Sequence, residues 1–498
     1  MTFAVVRSRA FGIDAPAVKV EVHLGLNVPA FTVVGLADTE VKESRERVRS
    51  ALDHCRFKFP ARRIVVNLAP ADLPKEGARF DLPIALGILA ASGQISTEVL
   101  EDYEFAGELG LDGSLRPVRG AFSMAACARP EKKALILPEE SAREAALVPG
   151  VTVLAAKHLL EVAAHLGGTS MLAQTAPTYR NQARPYPDLA DVKGQFAAKR
   201  ALTIAAAGRH NLLLIGPPGS GKSMLAARLP GLLPPMNEDE AIEAASLWSL
   251  STAGFDPGTY GQRPWRHPHH SASAVALAGG GGSAAGALPG EISLATHGIL
   301  FLDEFPEFDR KVLEMLREPL ETQRITISRA AYKVEFPARF MLVAAMNPCP
   351  CGHLGHPTIA CTCTPAQINR YRAKISGPLL DRIDLYCQVP ALLPEELLGA
   401  ATGPSTQVAQ GIVLDAYRRQ EARQGKANAL LTTKELEQHA RLSGASESFL
   451  NLAAKRLSLS GRGMHRVIRL ARTIADLAKR EEITEADLAE AIQFRRFS

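Results

Sequence analysis

Nowhere in its 498 residues does the chain run through the roughly 18 to 20 consecutive apolar residues of a membrane span, so a helical membrane protein is not expected. The opening MTFAVVRSRAFG lacks the apolar stretch and small-residue cleavage site of a secretory signal. A cytoplasmic protein with no membrane partner is expected. No repeat of about 20 to 50 residues is visible, which sets solenoids and propellers aside. Neither sign of charge dominates: 57 Lys and Arg against 52 Asp and Glu leave a net +5, a mild basicity that permits a nucleic-acid partner without demanding one. Cysteine is scarce. The seven are an odd number, and a disulfide framework is not expected in a long cytoplasmic chain. Cys55, Cys127 and Cys387 stand alone and read as small buried hydrophobes.

What is present is an ordinary globular composition, 46% hydrophobic and 22% charged, on a chain long enough for two or three domains. Residues 1–167 read as one α/β unit. Within it, IVVNL (64–68) is an apolar strand, DLPIALGILAAS (81–92) a buried helix, and GELGLDGSLRPV (107–118) a hairpin turning at Asp112-Gly113. KKALILP reads as a short strand, and HLLEVAAHLGG as a helix stopped by glycines. Residues 168–187 lose periodicity and collect Pro, Gln, Asn and Thr, which makes them a linker. An α/β core over 188–390 precedes a helix-rich tail over 391–498. In that tail Val467, Leu470, Ala471, Ile474 and Leu477 share one helical face, and Thr484 with Asp487 opens a last helix carrying Leu488 and Ile492.

The chemistry begins at residue 211. NLLLI is an apolar strand running into Gly216-Pro217-Pro218-Gly219-Ser220-Gly221-Lys222-Ser223 and then the helical MLAARL, beginning at Met224. This is the G-x-x-x-x-G-K-[ST] phosphate-binding loop in its strand–loop–helix setting. Glycines let backbone N–H groups wrap ATP phosphates, Lys222 reaches the β- and γ-phosphates, and the Ser223 hydroxyl takes a place on Mg²⁺. GILFLDEF (298–305) adds a strand ending in Asp303-Glu304: Asp303 for the Mg²⁺ shell, Glu304 to activate the attacking water. FMLVAAMN (340–347) ends in Asn347, which suits orienting that water. A cation is also wanted against charge developing on the γ-phosphate, and Arg382 in GPLLDRIDLY and Arg462 before RVIRLARTIADL are candidates that composition alone does not single out.

The order GPPGSGKS, GEISLATHGILFLDEFPEF, LREPLE, AAMNPCPCG, GPLLDRIDL, RLARTIADLA resembles the magnesium-chelatase-like AAA+ ATPases, and within them the YifB/ComM branch. VVGLADTEVKESRERVRSAL and VNLAPADLPKEGARFDLPIALGILAASG extend the resemblance to essentially the whole chain. It implies a homo-hexameric ring with ATP between subunits, Arg382 as the finger reaching a neighbour's nucleotide, and Arg462 as a sensor on a helical lid formed by 391–498. Gly461 and Gly463 flank Arg462 and disfavour a regular helix there, so Arg466 stands as the alternative. The front unit resembles the proteolytic domain of Lon, a ribosomal-S5-domain-2-like fold. Where that pattern has its nucleophilic Ser and its Lys, this chain has Arg79 and Phe122, so an active peptidase is not expected.

Cys349-x-Cys351 and Cys361-x-Cys363 put four thiols within fifteen residues, a set that suits a closed tetrahedral Zn²⁺ site. The C-x-C spacing is tighter than usual, His353 or His356 offers a substitute ligand, and redox cysteines are the alternative. In the resembling clade, an insert like 263–291 and a hairpin like 323–336 face the ring's pore, which makes Arg266, Arg329 and Lys333 candidate DNA contacts; polar loops folded on the core are the plainer reading. The resemblance implies a DNA motor, a helicase promoting branch migration in recombination or natural transformation. Metal insertion of the chelatase type and ATP-driven protein remodelling are the alternatives.

Overall fold

A computed structural model of the chain describes residues 2–26, 28–178, 186–280, 287–329, 332–392, 395, 403–457 and 459–495, without the side chains of 329 and 332. The chain divides into two compact units, Met1–Ala183 with Glu238–Tyr260 and Gly280–Pro289, and Arg184–Asn237 with Gly261–Gly279 and Gly290–Ser498. Among the described residues no helix is long and apolar enough to cross a membrane.

The first unit is built on a four-stranded sheet in the order Phe3–Arg9, Ala17–Gly25, Arg63–Ala69, Ala30–Val34. Strict alternation buries Val18, Val20, Val22 and Leu24 on one face, as a strand with period two requires. Helix Asp81–Ala91 is buried along its whole length. It lies so close to the sheet that a Cβ at Gly87 would come within 2.5 Å of Val22 Cγ2. A parallel three-stranded sheet (Tyr103–Phe105, Ala134–Pro138, Val153–Ala156) and the hairpin Glu108–Leu109/Leu115–Arg116 follow. Gly113 turns that hairpin at φ +87°.

Helix Glu238–Leu250 belongs to this first unit although its sequence lies after the phosphate loop. Its Ser249 Oγ donates to Glu144 Oε1 at 2.8 Å, and the same oxygen accepts from Phe122 N at 3.2 Å. Arg79 and Phe122 are both buried. Arg79 donates to the carbonyls of Arg9 and Arg119, while the Phe122 ring meets Phe255 edge-on at 5.4 Å.

The second unit carries five parallel strands in the order Trp265–Arg266, Ile299–Leu302, Met341–Met346, Leu212–Ile215, Leu385–Gln388. The three central strands are wholly buried and read as unbroken apolar runs, as parallel strands covered on both faces do. Asn211, at the entrance of strand Leu212–Ile215, accepts from Leu342 N at 2.8 Å and donates from its amide to Arg382 O at 3.0 Å, tying three strands together. The C-terminal helices share this unit's core: Val467, Leu470, Ala471, Ile474 and Leu477 are buried on helix Gly461–Leu477. Thr484 caps Glu485–Gln493 with a capping box, and Leu488 and Ile492 are buried there.

One expectation is corrected. The glycines around Arg462 do not interrupt the helix but open it: Ser460 is its N-cap and its hydroxyl accepts from Gly463 N at 3.1 Å. First-turn N–H groups have no partner inside a helix, and here the cap supplies one, which offsets the entropy that two glycines lose.

Candidate ATP site and adjoining cysteine cluster

Three strand ends of the second unit meet at a cavity of about 540 Å³ lined by Pro218, Gly219, Gly221, Lys222, Ser223, Met224, Asp303, Glu304, Met346, Asn347 and the segment His267–His270. Gly219 and Gly221 have φ of +75° and +90°, the left-handed turns that let the loop fold back above the short helix Lys222–Ala226. Gly216 packs so tightly that a Cβ there would meet Val389 O at 2.1 Å.

Lys222 is almost wholly buried. Its Nζ donates to Gly216 O at 2.7 Å, Pro217 O at 2.9 Å and Asn347 Oδ1 at 3.2 Å. Burial lowers its pKa, and the nearby Asp303 works the other way. The Ser223 hydroxyl donates to Asp303 Oδ2 at 2.5 Å, so a hydroxyl and a carboxylate oxygen converge, two ligands of the kind a hard divalent cation takes. Glu304 follows with φ +52°, and its backbone N–H returns to Asp303 Oδ1 at 2.9 Å. That left-handed turn throws its carboxylate into the cavity, 2.8 Å from His270 Nδ1.

Lys222, Ser223, Asp303, Glu304 and Asn347 thus come together as the motifs predict. Neither Arg382, Arg462 nor Arg466 is among the described residues lining the cavity. Arg382 is buried elsewhere in the unit, donating to Arg317 O at 3.1 Å and Pro378 O at 2.6 Å and pairing with Glu321 at 2.5 Å. Arg462 is exposed on the first turn of its helix. Arg466 pairs with Asp384. Burial would raise that carboxyl, but Arg466, His210 and the Asn211 N–H outweigh it and hold Asp384 well below the usual carboxylate range.

Sequence reasoning missed His267 to His270, which it assigned to an insert facing a pore, and Gln195. The Gln195 amide donates to Ser220 O at 3.2 Å and Pro390 O at 2.8 Å, fastening the phosphate loop to a neighbouring strand end. Arg266 is paired with Glu291 at 2.5 Å. The hairpin Arg324–Arg329/Tyr332–Pro337 forms in the predicted place, with Lys333 exposed. Its tip, the Arg329 side chain and residues 281–286 lie outside the described residues.

Directly beyond Asn347 the four cysteines converge, every sulfur within 4.8 Å of the others. The Sγ separations are 3.4 Å for Cys349–Cys351, 3.7 Å for Cys349–Cys361 and 3.6 Å for Cys351–Cys361. A zinc ion with four Zn–S bonds of about 2.3 Å requires sulfurs about 3.8 Å apart. The separations among Cys349, Cys351 and Cys361 lie close to that value, and Cys363 Sγ is within 4.8 Å of all three. Backbone N–H groups of His353 and Thr362 pull the Cys351 thiol down, whereas Cys361 and Cys363, despite a lowering backbone N–H each, are pushed up by burial and by the neighbouring sulfurs.

Comparison with known proteins agrees along the whole chain. The family described as magnesium chelatase, subunit ChlI, matches residues 188–397. Two companion families match the flanks: subunit ChlI of Mg-chelatase at 20–141 and the ChlI C-terminal family at 403–495. The competence protein ComM of Haemophilus influenzae is 50% identical, covering 99% of this chain and 98% of that protein. The protein YifB of Escherichia coli is 46% identical over 99% of this chain and 97% of its own length. A shorter stretch, 20% of this chain and 11% of the other, is 29% identical to the DNA replication licensing factor mcm-6 of Caenorhabditis briggsae.

Proposed function

The chain belongs to the magnesium-chelatase-like YifB/ComM family, and from that premise we propose that it is an ATP-hydrolysing hexameric motor acting on DNA, a helicase that promotes branch migration. The observation that carries the ATPase is the convergence of Lys222, Ser223, Asp303, Glu304 and Asn347 on one cavity.

Each residue has a distinct task. Lys222 exchanges its carbonyl partners for β- and γ-phosphate oxygens, and the loop's backbone N–H groups and the start of helix Lys222–Ala226 face the same charge. Ser223 and Asp303 would hold Mg²⁺, which when bound would supply positive charge against the phosphates. Glu304 accepts the proton of the attacking water, and Asn347 orients that water against the γ-phosphate. Arg382 acts in a neighbouring subunit's site, with Arg462 or Arg466 reading the nucleotide from a helical lid over 391–498. The Zn²⁺ reading of the cysteines belongs to the same picture.

We read residues 1–167 as a Lon-like scaffold joined by 168–187 to an AAA+ core over 188–390. Proteolysis is not part of its work, since Arg79 and Phe122 offer neither nucleophile nor base. The DNA part rests on full-length likeness to a competence protein and on the short likeness to a replication licensing factor. Arg266, Arg329 and Lys333 are the cations we assign to the strand. The test is ATPase rate without DNA and with single-stranded, duplex and branched DNA. Stimulation, strongest with branched DNA and weakened by salt, is expected. No stimulation by any of them defeats the DNA reading and leaves metal insertion or protein remodelling.

A further inference from the structure

The cysteine cluster touches the phosphate loop. Gly352, inside the Cys-Pro-Cys-Gly turn, has φ +81°, and a Cβ built on it would lie 2.5 Å from Pro218 Cδ, 2.8 Å from Pro218 Cγ and 3.9 Å from Asn347 Cγ. Its backbone N–H closes the turn on Cys349 O at 3.0 Å. Cys349 itself is fully buried, two residues beyond Asn347.

A second connection leaves the far side of the cluster. One residue after Cys363, Thr364 caps helix Pro365–Arg372 with a capping box. That helix buries Tyr371, whose phenol burial pushes up to about 12 and which accepts a hydrogen bond from the Asn347 backbone N–H. Asn347 in turn accepts from Lys222 Nζ at 3.2 Å. The loop from Cys349 to Cys363 thus leans on the ATP site at both ends, and it has little apolar packing of its own: His356, Pro357, Thr358 and Ile359 are exposed or half-exposed.

We propose that a thiophilic divalent cation, Zn²⁺ foremost, held by Cys349, Cys351, Cys361 and Cys363 is a positioning element of the ATP site, seating Gly352 against Pro218 and Tyr371 against Asn347. This inference rests on the ATPase and zinc readings above. Each thiol still protonated yields its proton to solvent as its Zn–S bond forms, and the four bonds fix both ends of the loop. Without them the free energy that holds the turn against Pro218 falls to a few van der Waals contacts, and the phosphate loop loses one wall.

The full-length protein as purified is assayed for metal by elemental analysis. It is then stripped with a thiol-competing zinc chelator in the presence of reductant and excess Mg²⁺. Affinity for a fluorescent ATP analogue is measured before stripping, after stripping and after Zn²⁺ is returned. About one zinc per chain is expected, with affinity weakened about tenfold on stripping and recovered by Zn²⁺ but not by further Mg²⁺. Gly352→Ala tests the contact with the metal in place: its left-handed φ and the clash with Pro218 should lower the melting temperature somewhat, yet it should keep its zinc and bind the analogue less tightly. No zinc in the purified protein overturns the metal site. Zinc present, with affinity unchanged both on stripping and in Gly352→Ala, overturns the coupling while the site stands. A loaded chain that does not bind the analogue overturns the ATPase reading instead.

Discussion

His270 Nδ1 stands 2.8 Å from Glu304 Oε2, so the carboxylate assigned to water activation is held by a side chain from a different strand end. The His269 ring packs on His270 with centroids 4.1 Å apart, and Phe308 lies edge-on to it at 6.5 Å. Glu304 is more than half exposed, and the pair with His270 favours one rotamer of it. His270→Ala should therefore lower kcat by about tenfold with little change in KM, a loss of orientation and not of binding. His270→Gln, which retains a donor, should recover part of it. Unchanged or faster turnover in His270→Ala would mean that the pair restrains Glu304 and does not aim it.

Lys222→Ala and Glu304→Gln should separate binding from chemistry. Lys222 sits among Gly216 O, Pro217 O and Asn347 Oδ1, so its removal strips both a phosphate ligand and a brace of the loop. Hydrolysis should be abolished and ATP affinity lost, at a stability cost of about 1 kcal/mol from the unpaired carbonyls. Glu304→Gln keeps the charge-binding side intact. It should bind ATP normally and turn over about a hundredfold or more slowly. Calorimetric binding and phosphate release on the two variants check this; normal turnover in Glu304→Gln would move the base elsewhere.

The nucleotide motifs were legible because each occupies a strand end, and unbroken apolar runs such as NLLLI and ILFL announce buried parallel strands without any tertiary information. The face of helix Gly461–Leu477 and the capping box at Thr484 are equally local. His270, Gln195 and Tyr371 were not legible, since they come from a segment beyond strand Trp265–Arg266, the start of helix Phe196–Gly208 and helix Pro365–Arg372, and none sits at a diagnostic spacing. Helix Glu238–Leu250, for a related reason, does not announce which unit it joins. Its small apolar stripe, Ala241, Ala244, Ala245 and Leu247, says that one face is buried but not against which unit.

Glu144 should give the first unit an unusual pH dependence. Burial pushes its carboxyl up to about 7, against bonds from Ser249 Oγ and the N–H groups of Phe122 and Ala121 that lower it less. A folded pKa above the unfolded value near 4.5 means that the folded state binds the proton more tightly. This contribution is full below pH 4.5 and is lost as pH rises through about 7. Glu144→Gln keeps the acceptor oxygen and removes the charge, so it should stabilise the protein by about 1 to 3 kcal/mol at pH 8 and by almost nothing at pH 4.5. Equal shifts at both pH values in thermal melts would show that Glu144 titrates normally.

Arg382 gives the sharpest test of the ring. Within its own chain it is paired with Glu321 and two backbone carbonyls, away from the cavity that holds Lys222. A guanidinium so placed can serve its own nucleotide only by abandoning those partners and crossing the unit. Service to a neighbour likewise requires Arg382 to leave Glu321, which is half-exposed, and its two carbonyl partners, but it can do so by turning outward. In trans action predicts that Arg382→Ala alone is inactive although its phosphate loop is complete, and that Lys222→Ala alone is inactive although its arginine is intact. Mixed assemblies should regain part of the ATPase activity, because some interfaces join a good loop to a good arginine. The loss in Arg382→Ala should fall on turnover, by about 10³-fold, and far less on ATP affinity, since the cation meets charge that develops only in the transition state. Glu321→Ala should leave turnover intact or raise it, because the finger is then freer to leave. Mixing the two inactive variants under conditions of subunit exchange, with mixed assemblies verified by mass, decides the matter: verified mixing with no recovery at any ratio would exclude a site shared between neighbours.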